Sequence, residues 1–297
     1  MRVDRDLIAN AWRGRISGCQ LGKPVELLSM RQGLDGLHAY LRGVDALPLR
    51  DYVPFVEGSD LFKLSCRGHM HRSEPDDDIN YSVLALTMLE QHGAALETVD
   101  VARSWLSLLP FAATFTAERD AYRVLVNEAS SFFAQGASPG FDLAACSDNK
   151  YNDWIGAQIR ADVYGWVCPG DPTEAARLAA VDASLSHRDA GVHGAQFVAA
   201  CCAAIPASDS LDEAVVRGAA ELPDGCDARR AIEVGRSLAG RDDAIEALHA
   251  EYGHLSPVHT LNNLALVVWA LLAHESDFGA AIGESVTAGW DTDCNGA

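Results

Sequence analysis

No run of eighteen or more apolar residues occurs in the chain, so no membrane-spanning helix is predicted. The opening Met1-Arg2-Val3-Asp4-Arg5-Asp6 lacks the apolar stretch of a signal peptide, and a cytoplasmic protein is expected. The eight cysteines contain no Cys-x-x-Cys pair. Cys201 and Cys202 are adjacent in an apolar run, as suits buried free thiols, and all eight read as reduced residues of a reducing compartment. Basic residues are few: 23 Lys+Arg against 42 Asp+Glu give a net charge of -19. That argues against nucleic-acid binding, because phosphate backbones need a basic surface. A small anionic ligand stays open, since bound divalent cations reverse the local field. There is no long Gly/Ser linker and no solenoid repeat. One domain over residues 1–297 is expected.

What is present is helical patterning and ample apolar content, 48% of residues. Tyr81–Glu90 reads as a nearly fully buried helix. Further helices are predicted over Val101–Thr114, Glu118–Ala134, Asp153–Tyr164, Pro172–Ser186, Gly194–Ala204, Leu211–Glu221, Asp227–Leu238, Asp242–Tyr252, Val258–Ala273 and Phe278–Ala288, many with apolar residues at three- and four-residue spacing. Asp171-Pro172 and Ser210 with Glu213 are start signals. Strand signals are weak. Gly33–Cys66 is less regular and reads as loops and short helices. The predicted class is all-α.

Three patches carry chemistry. Asp76-Asp77-Asp78, preceded by Glu74, lies just before a predicted helix. Acids there can cap the helix, or, as hard oxygen donors, hold a cation such as Mg²⁺. Asp291-Thr292-Asp293, more than two hundred residues later, is either a charged loop near the end of the chain or a second donor set. The flanking Trp290 and the lack of nearby lysines argue against a solvated tail. Two such clusters are costly unless something positive joins them, so they read as two halves of one metal site. Gly14, Gly18 and Gly22 recur on one helix face, permitting close approach of a helix or a ligand. Lys23-Pro24 then ends that helix and presents Glu26. A Walker loop is excluded, since Pro follows the Gly-Lys.

With these patches placed, the sequence resembles the ADP-ribosylglycohydrolase family, of the dinitrogenase reductase-activating glycohydrolase type. The Gly14-to-Glu26 pattern matches its N-terminal helix. Asp76-Asp77-Asp78-Ile79 falls in its Thr-Asp-Asp-Thr slot, and Asp291-Thr292-Asp293-Cys294 in its Asp-Thr-Asp-Thr slot. Ile155-Gly156-Ala157-Gln158-Ile159-Arg160 looks like its Asn-Gly-Ser-x-Met-Arg segment, and Ala183-Ser184-Leu185-Ser186-His187 is similar to its Ala-x-x-Thr-His element. The resemblance implies an all-α orthogonal helical bundle with two Mg²⁺ (or Mn²⁺). It implies hydrolysis of an N- or O-glycosidic bond of ADP-ribose joined to a protein or small molecule, with no nucleic acid or membrane as partner. Asp76, Asp77, Asp78, Asp291 and Asp293 are then metal ligands, and Glu26 and Asp77 catalytic. Gly156, Ala157, Arg160 and His187 line the ligand cleft, with a structural pairing in the core the other reading of Arg160. The cations would orient the ribose and activate a water, and a carboxylate would stabilise the oxocarbenium-like transition state.

Three departures stand out. Two family threonines are Asp76 and Cys294 here, and a thiol is a poor ligand for Mg²⁺. A third threonine is Ile79. The chain also stops four residues after Asp293, where the family continues with a further helix. These differences leave open a hydrolase of another riboside or nucleoside-like metabolite, or a non-catalytic homologue. Cys66, His69 and His71 lack a fourth ligand for structural zinc and read as a loop over the cleft. Tyr164 and Trp166 are candidates for stacking on a nucleobase.

Overall fold

The structure is a computed structural model and describes residues 4–128 and 138–297. Among them lie fourteen α-helices and no strand; Pro54 and Arg67 form an isolated bridge. In chain order the helices are α1 Arg5–Gly22, α2 Glu26–Gly43, α3 Asp77–His92, α4 Thr98–Leu108, α5 Thr116–Glu128, α6 Asp162–Val167, α7 Pro172–Ala183, α8 Asp189–Ala204, α9 Leu211–Ala220, α10 Asp227–Leu238, α11 Ala244–Tyr252, α12 Thr260–Ala273, α13 Phe278–Thr287 and α14 Thr292–Gly296. The predicted all-α class holds.

The described residues form two compact units, one of residues 80–128 with 138–228 and one of residues 4–79 with 229–297. The core of the first is built on Tyr81, Met88, Trp105, Leu125, Leu178 and Leu185. The core of the second gathers Leu21, Val25, Leu37, Leu41, Leu49 and Val286.

Local signals act as expected at several helix starts. Asp171 accepts from the Glu174 N–H at 3.1 Å with Pro172 in the first turn. Ser210 accepts from the Glu213 N–H at 3.1 Å. Each satisfies an otherwise orphaned amide. Helix α10 has the predicted bounds.

Other expectations need correction. The region Gly33–Cys66 does hold short helices among its loops, but its first one is continuous with α2, which runs on to Gly43 through a bend at Gly33, where φ is +66°. Asp153–Tyr164 is not one helix but a 3₁₀ segment, Ile155–Arg160, followed by α6. Helix α8 starts at Asp189, ahead of Gly194, because Gly191 and Gly194 are buried packing positions. In α3 the 83/86 face is open, with Val83 50% and Leu86 46% exposed, so that helix is not fully buried. The part of Glu118–Ala134 beyond residue 128 lies outside the described residues. Residues 189–207 are long and apolar enough to cross a bilayer by length and composition. Within their own unit Phe197, Ala199, Ala200 and Ala203 are buried, so packing uses that apolarity.

The decisive packing lies in the second unit, where the glycine face of α1 receives α14. A β-carbon on Gly18 would stand 1.8 Å from the Gly296 carbonyl oxygen, and one on Gly22 would stand 2.0 Å from that of Thr292. The Thr292 hydroxyl donates to the Gly22 carbonyl at 2.9 Å. The glycines are therefore needed for backbone-to-backbone approach. Gly14 meets only the Phe278 ring at 3.4 Å.

Gly22→Ala is expected to force α14 from its seat and cost about 1–3 kcal/mol, the usual range for overpacking. Gly14→Ala should be close to neutral. Urea denaturation of both variants checks the contrast.

Candidate metal centre

Helix α1 presents two adjacent faces. The glycine face holds α14. About 100° around the helix, Arg15, Cys19 and Lys23 recur every fourth residue, and Arg15 and Lys23 hold the segment that leads into α3. Arg15 donates to the Asp78 carbonyl, from Nε at 3.1 Å. Gln20 donates to the Glu74 carbonyl at 3.2 Å and accepts from the Glu74 N–H at 3.1 Å. Lys23 forms an ion pair with Asp76. Asp76 also accepts from the Asp78 N–H at 3.0 Å, so it caps α3 as well. One helix thus brings together two acidic segments remote in sequence.

The turn into α14 is held from the other side. Gly289 and Trp290 both have positive φ, +86° and +58°. For Trp that conformation is strained. The Ser29 hydroxyl donates to the Trp290 carbonyl at 2.9 Å, and the His249 ring stacks on the indole at 4.2 Å. Asn263, fully buried, accepts at Oδ1 from the Asn295 amide at 2.8 Å and the Asp291 N–H at 3.4 Å. Its own amide donates to the Pro257 and His259 carbonyls, each at 2.8 Å.

Two donor groups result. Cys19, Asp76 and Asp78 offer ligand atoms within 4.8 Å of one another, and so do Asp291, Asp293 and Cys294. Cys294 Sγ lies 3.6 Å from Asp78 Oδ2, joining the groups. Asp76, Asp78, Asp291 and Asp293 are buried, while Asp77 and Glu26 are partly buried. The charges press on one another. Burial, then Asp293, Asp76 and Asp77, pushes Glu26 up to about 9. Burial and Asp76 push Asp293 up to about 6. Asp78 and Asp291 are raised well above the usual carboxylate range, first by burial and then by neighbouring acids. Asp291 Oδ1 is buried with no hydrogen-bond partner. The excess of acids and the unpartnered oxygen fit residues able to hold a cation, and oxygen-rich donors suit a hard one.

The other predicted site residues, Gly156, Ala157, Arg160 and His187, belong to the first unit. Arg160 is 1% exposed. It donates to Glu118 at 2.8 Å, to both Asp182 oxygens at 3.2 Å and to Ser186 at 3.0 Å. The rings of Tyr81 and Trp105 lie 5.2 Å from its guanidinium. Gly156 leaves room for Glu118, whose Oε1 would be 2.2 Å from an added β-carbon. Ala157 is buried in the core. His187, pushed well below its usual value by burial and by Arg160, is a neutral imidazole bonded at Nδ1 to Ser186 at 2.8 Å. Tyr164 is fully buried and donates to Asp182 at 2.9 Å, which takes it away from base stacking. Among the described residues, Cys66, His69 and His71 form no metal-ligand group; the edge of His69 meets Phe55 at 5.4 Å.

Several contributors were not singled out by sequence. Glu118 and Asp182 carry no local signal, since only the fold pairs them with Arg160. Lys23 and Cys19 share the four-residue spacing of Arg15, which was a readable sign of one face. Asn263 gave no sign in an apolar helix.

Comparison with known proteins gives the class of the protein: an all-α hydrolase acting on glycosyl bonds. The pattern of the ADP-ribosylglycohydrolase family matches residues 2–297, and the chain belongs to that family. It is similar in fold to a solved structure titled "ADP-ribosylglycohydrolase-related protein complex", at 17% identity and TM-score 0.54, over 97% of this chain and 85% of that one. No curated protein is significantly similar to it.

Arg160→Met would leave Glu118 and Asp182 buried without their cation. A loss of about 3–5 kcal/mol is expected, read as a fall in the urea midpoint.

Proposed function

We propose that the chain is a divalent-cation-dependent hydrolase that cleaves the N- or O-glycosidic bond joining ADP-ribose to a protein or small-molecule acceptor. The observation that carries the reading is the convergence of Asp76, Asp78, Asp291 and Asp293 beside α1, with Asp78, Asp291 and Asp293 raised and Asp291 Oδ1 buried without a hydrogen-bond partner. Asp77 follows Asp76 at the start of α3. These aspartates are the proposed ligands of two Mg²⁺ or Mn²⁺ ions. Bound there, the cations supply charge that orients ribose hydroxyls and polarises the reacting centre.

The chain's own residues do the rest. Lys23 holds Asp76 in place and offsets one charge. Glu26 opens α2 next to the cluster and is the proposed general base, taking a proton from the attacking water once cations compensate its neighbours. Asp77, partly buried at the start of α3, is the proposed carboxylate for the positive charge developing at the anomeric carbon. Arg160 and His187 act through the stability of their own unit.

Asp293→Asn is expected to abolish release of ADP-ribose from ADP-ribosylated arginine or serine peptides while the protein stays folded by circular dichroism. Undiminished release would overturn the reading. Cation binding by the wild type without affinity for ADP-ribose would instead favour a different riboside as substrate.

The raised carboxyls predict a pH dependence. The folded state holds their protons more tightly than the unfolded chain does. Their stabilising contribution is therefore present below the ordinary values of 3.8 for Asp293 and 4.5 for Glu26, and is lost as pH rises through about 6 and about 9 respectively. A bound cation removes that penalty. The rise in thermal midpoint on adding Mg²⁺ should be greater at about pH 8 than at about pH 5, as differential scanning fluorimetry can show.

A further inference from the structure

The proposed aspartate set leaves two sulfur atoms of the cluster without a role. Cys294 shares a 4.8 Å donor group with Asp291 and Asp293, and its Sγ lies 3.6 Å from Asp78 Oδ2. Cys19 shares the other group, with Asp76 and Asp78. The two groups differ in one respect. Asp76 already carries the ammonium of Lys23, which brings a fixed positive charge to the Cys19 group. On the Asp291–Asp293–Cys294 group Lys23 acts only as a nearby charge, felt by Asp293, because its ion pair is with Asp76. That group also contains the buried Asp291 Oδ1 that has no hydrogen-bond partner.

An ion in that group meets carboxylate oxygens and one sulfur. Magnesium takes oxygen ligands in near-ideal octahedra. Sulfur donors favour softer ions, and a mixed sulfur and oxygen set suits a borderline ion such as Zn²⁺ or Co²⁺. We infer that Cys294 is a metal ligand and that the Asp291–Asp293–Cys294 group takes a borderline transition ion of the Zn²⁺ type in preference to Mg²⁺. This rests on the proposed cation-dependent reading and assigns the identity of one ion within it. On binding, the Cys294 S–H bond breaks, its proton passes to solvent and the sulfur electron pair bonds to the ion. No oxidation state changes.

The test is titration of the chelator-treated full chain with Co²⁺, followed by absorbance and calorimetry. A near-ultraviolet sulfur-to-cobalt charge-transfer band is expected in the wild type. Cys294→Ala and Cys294→Ser should lose the band and bind Co²⁺ at least about tenfold more weakly, the scale of loss typical when a metal site is disturbed. Zn²⁺ should displace the cobalt at concentrations where Mg²⁺ does not. The serine variant keeps a small polar side chain, so it decides the matter if the alanine variant fails to fold. Cobalt binding without the band, or a band that survives both substitutions, overturns Cys294 as a ligand while leaving cation binding intact. Displacement by Mg²⁺ as readily as by Zn²⁺ overturns the preference. Failure to bind any divalent ion overturns this inference and the proposed cation dependence together.

Discussion

The backbone contact between α1 and α14 is the constraint on which the centre depends. Gly18 and Gly22 let the carbonyls of Gly296 and Thr292 approach to a distance that a β-carbon would occupy. With α14 so placed, Asp291 and Asp293 come to the flank of α1. The next face of the same helix, through Arg15, Gln20 and Lys23, fixes the segment from Glu74 to Asp78. A single helix therefore sets the separation of two donor sets that the chain places at opposite ends of the unit. Its small residues are a matter of clearance, and its polar residues a matter of registration.

Two buried ionic clusters illustrate opposite electrostatic solutions. Around Arg160, two carboxylates meet one guanidinium that is itself bonded to Ser186 and a carbonyl. Burial raises Glu118, yet Arg160 acts against that shift. The network is held by these bonds among its own members, although Glu118 stays raised. Around α1 and α14 the acids outnumber the cations. Lys23 and Arg15 oppose the repulsion for Asp78, Glu26 and Asp293 only in part, and these carboxyls remain raised. A folded protein keeps such an imbalance where function calls for it. The contrast separates a cluster that braces a unit from one proposed to hold cations.

Backbone strain occurs at the same place, as it also does at Asp45, Thr116 and Asp189. Trp290 holds a left-handed backbone that disfavours a bulky residue. The stacked His249 ring, the Ser29 hydrogen bond and the Asn263 network hold that turn and the segment after it. The turn redirects the chain after α13 so that Asp291 enters the buried cluster. The neighbouring Asn263 makes the same demand from within an otherwise apolar helix, which explains a fully buried amide there.

Sequence alone determined the helical class, most helix positions in the second half, the capping signals at Asp171 and Ser210, and the two acidic motifs. These are local properties: periodicity, propensity and composition act within a few residues of themselves. The kink at Gly33 and the split of Asp153–Tyr164 escaped, because apolar periodicity reports neither a single positive φ nor a 3₁₀ turn in place of an α one. Tertiary structure alone decided which acids meet which cations. Arg160 and Asp76 look alike in one dimension, each a charged residue next to a motif, yet one is neutralised by Glu118 and Asp182 and the other joins an acid-rich group. Coulomb energy depends on separation in space, and separation between distant residues is set by how closely the backbones of α1 and α14 can pack.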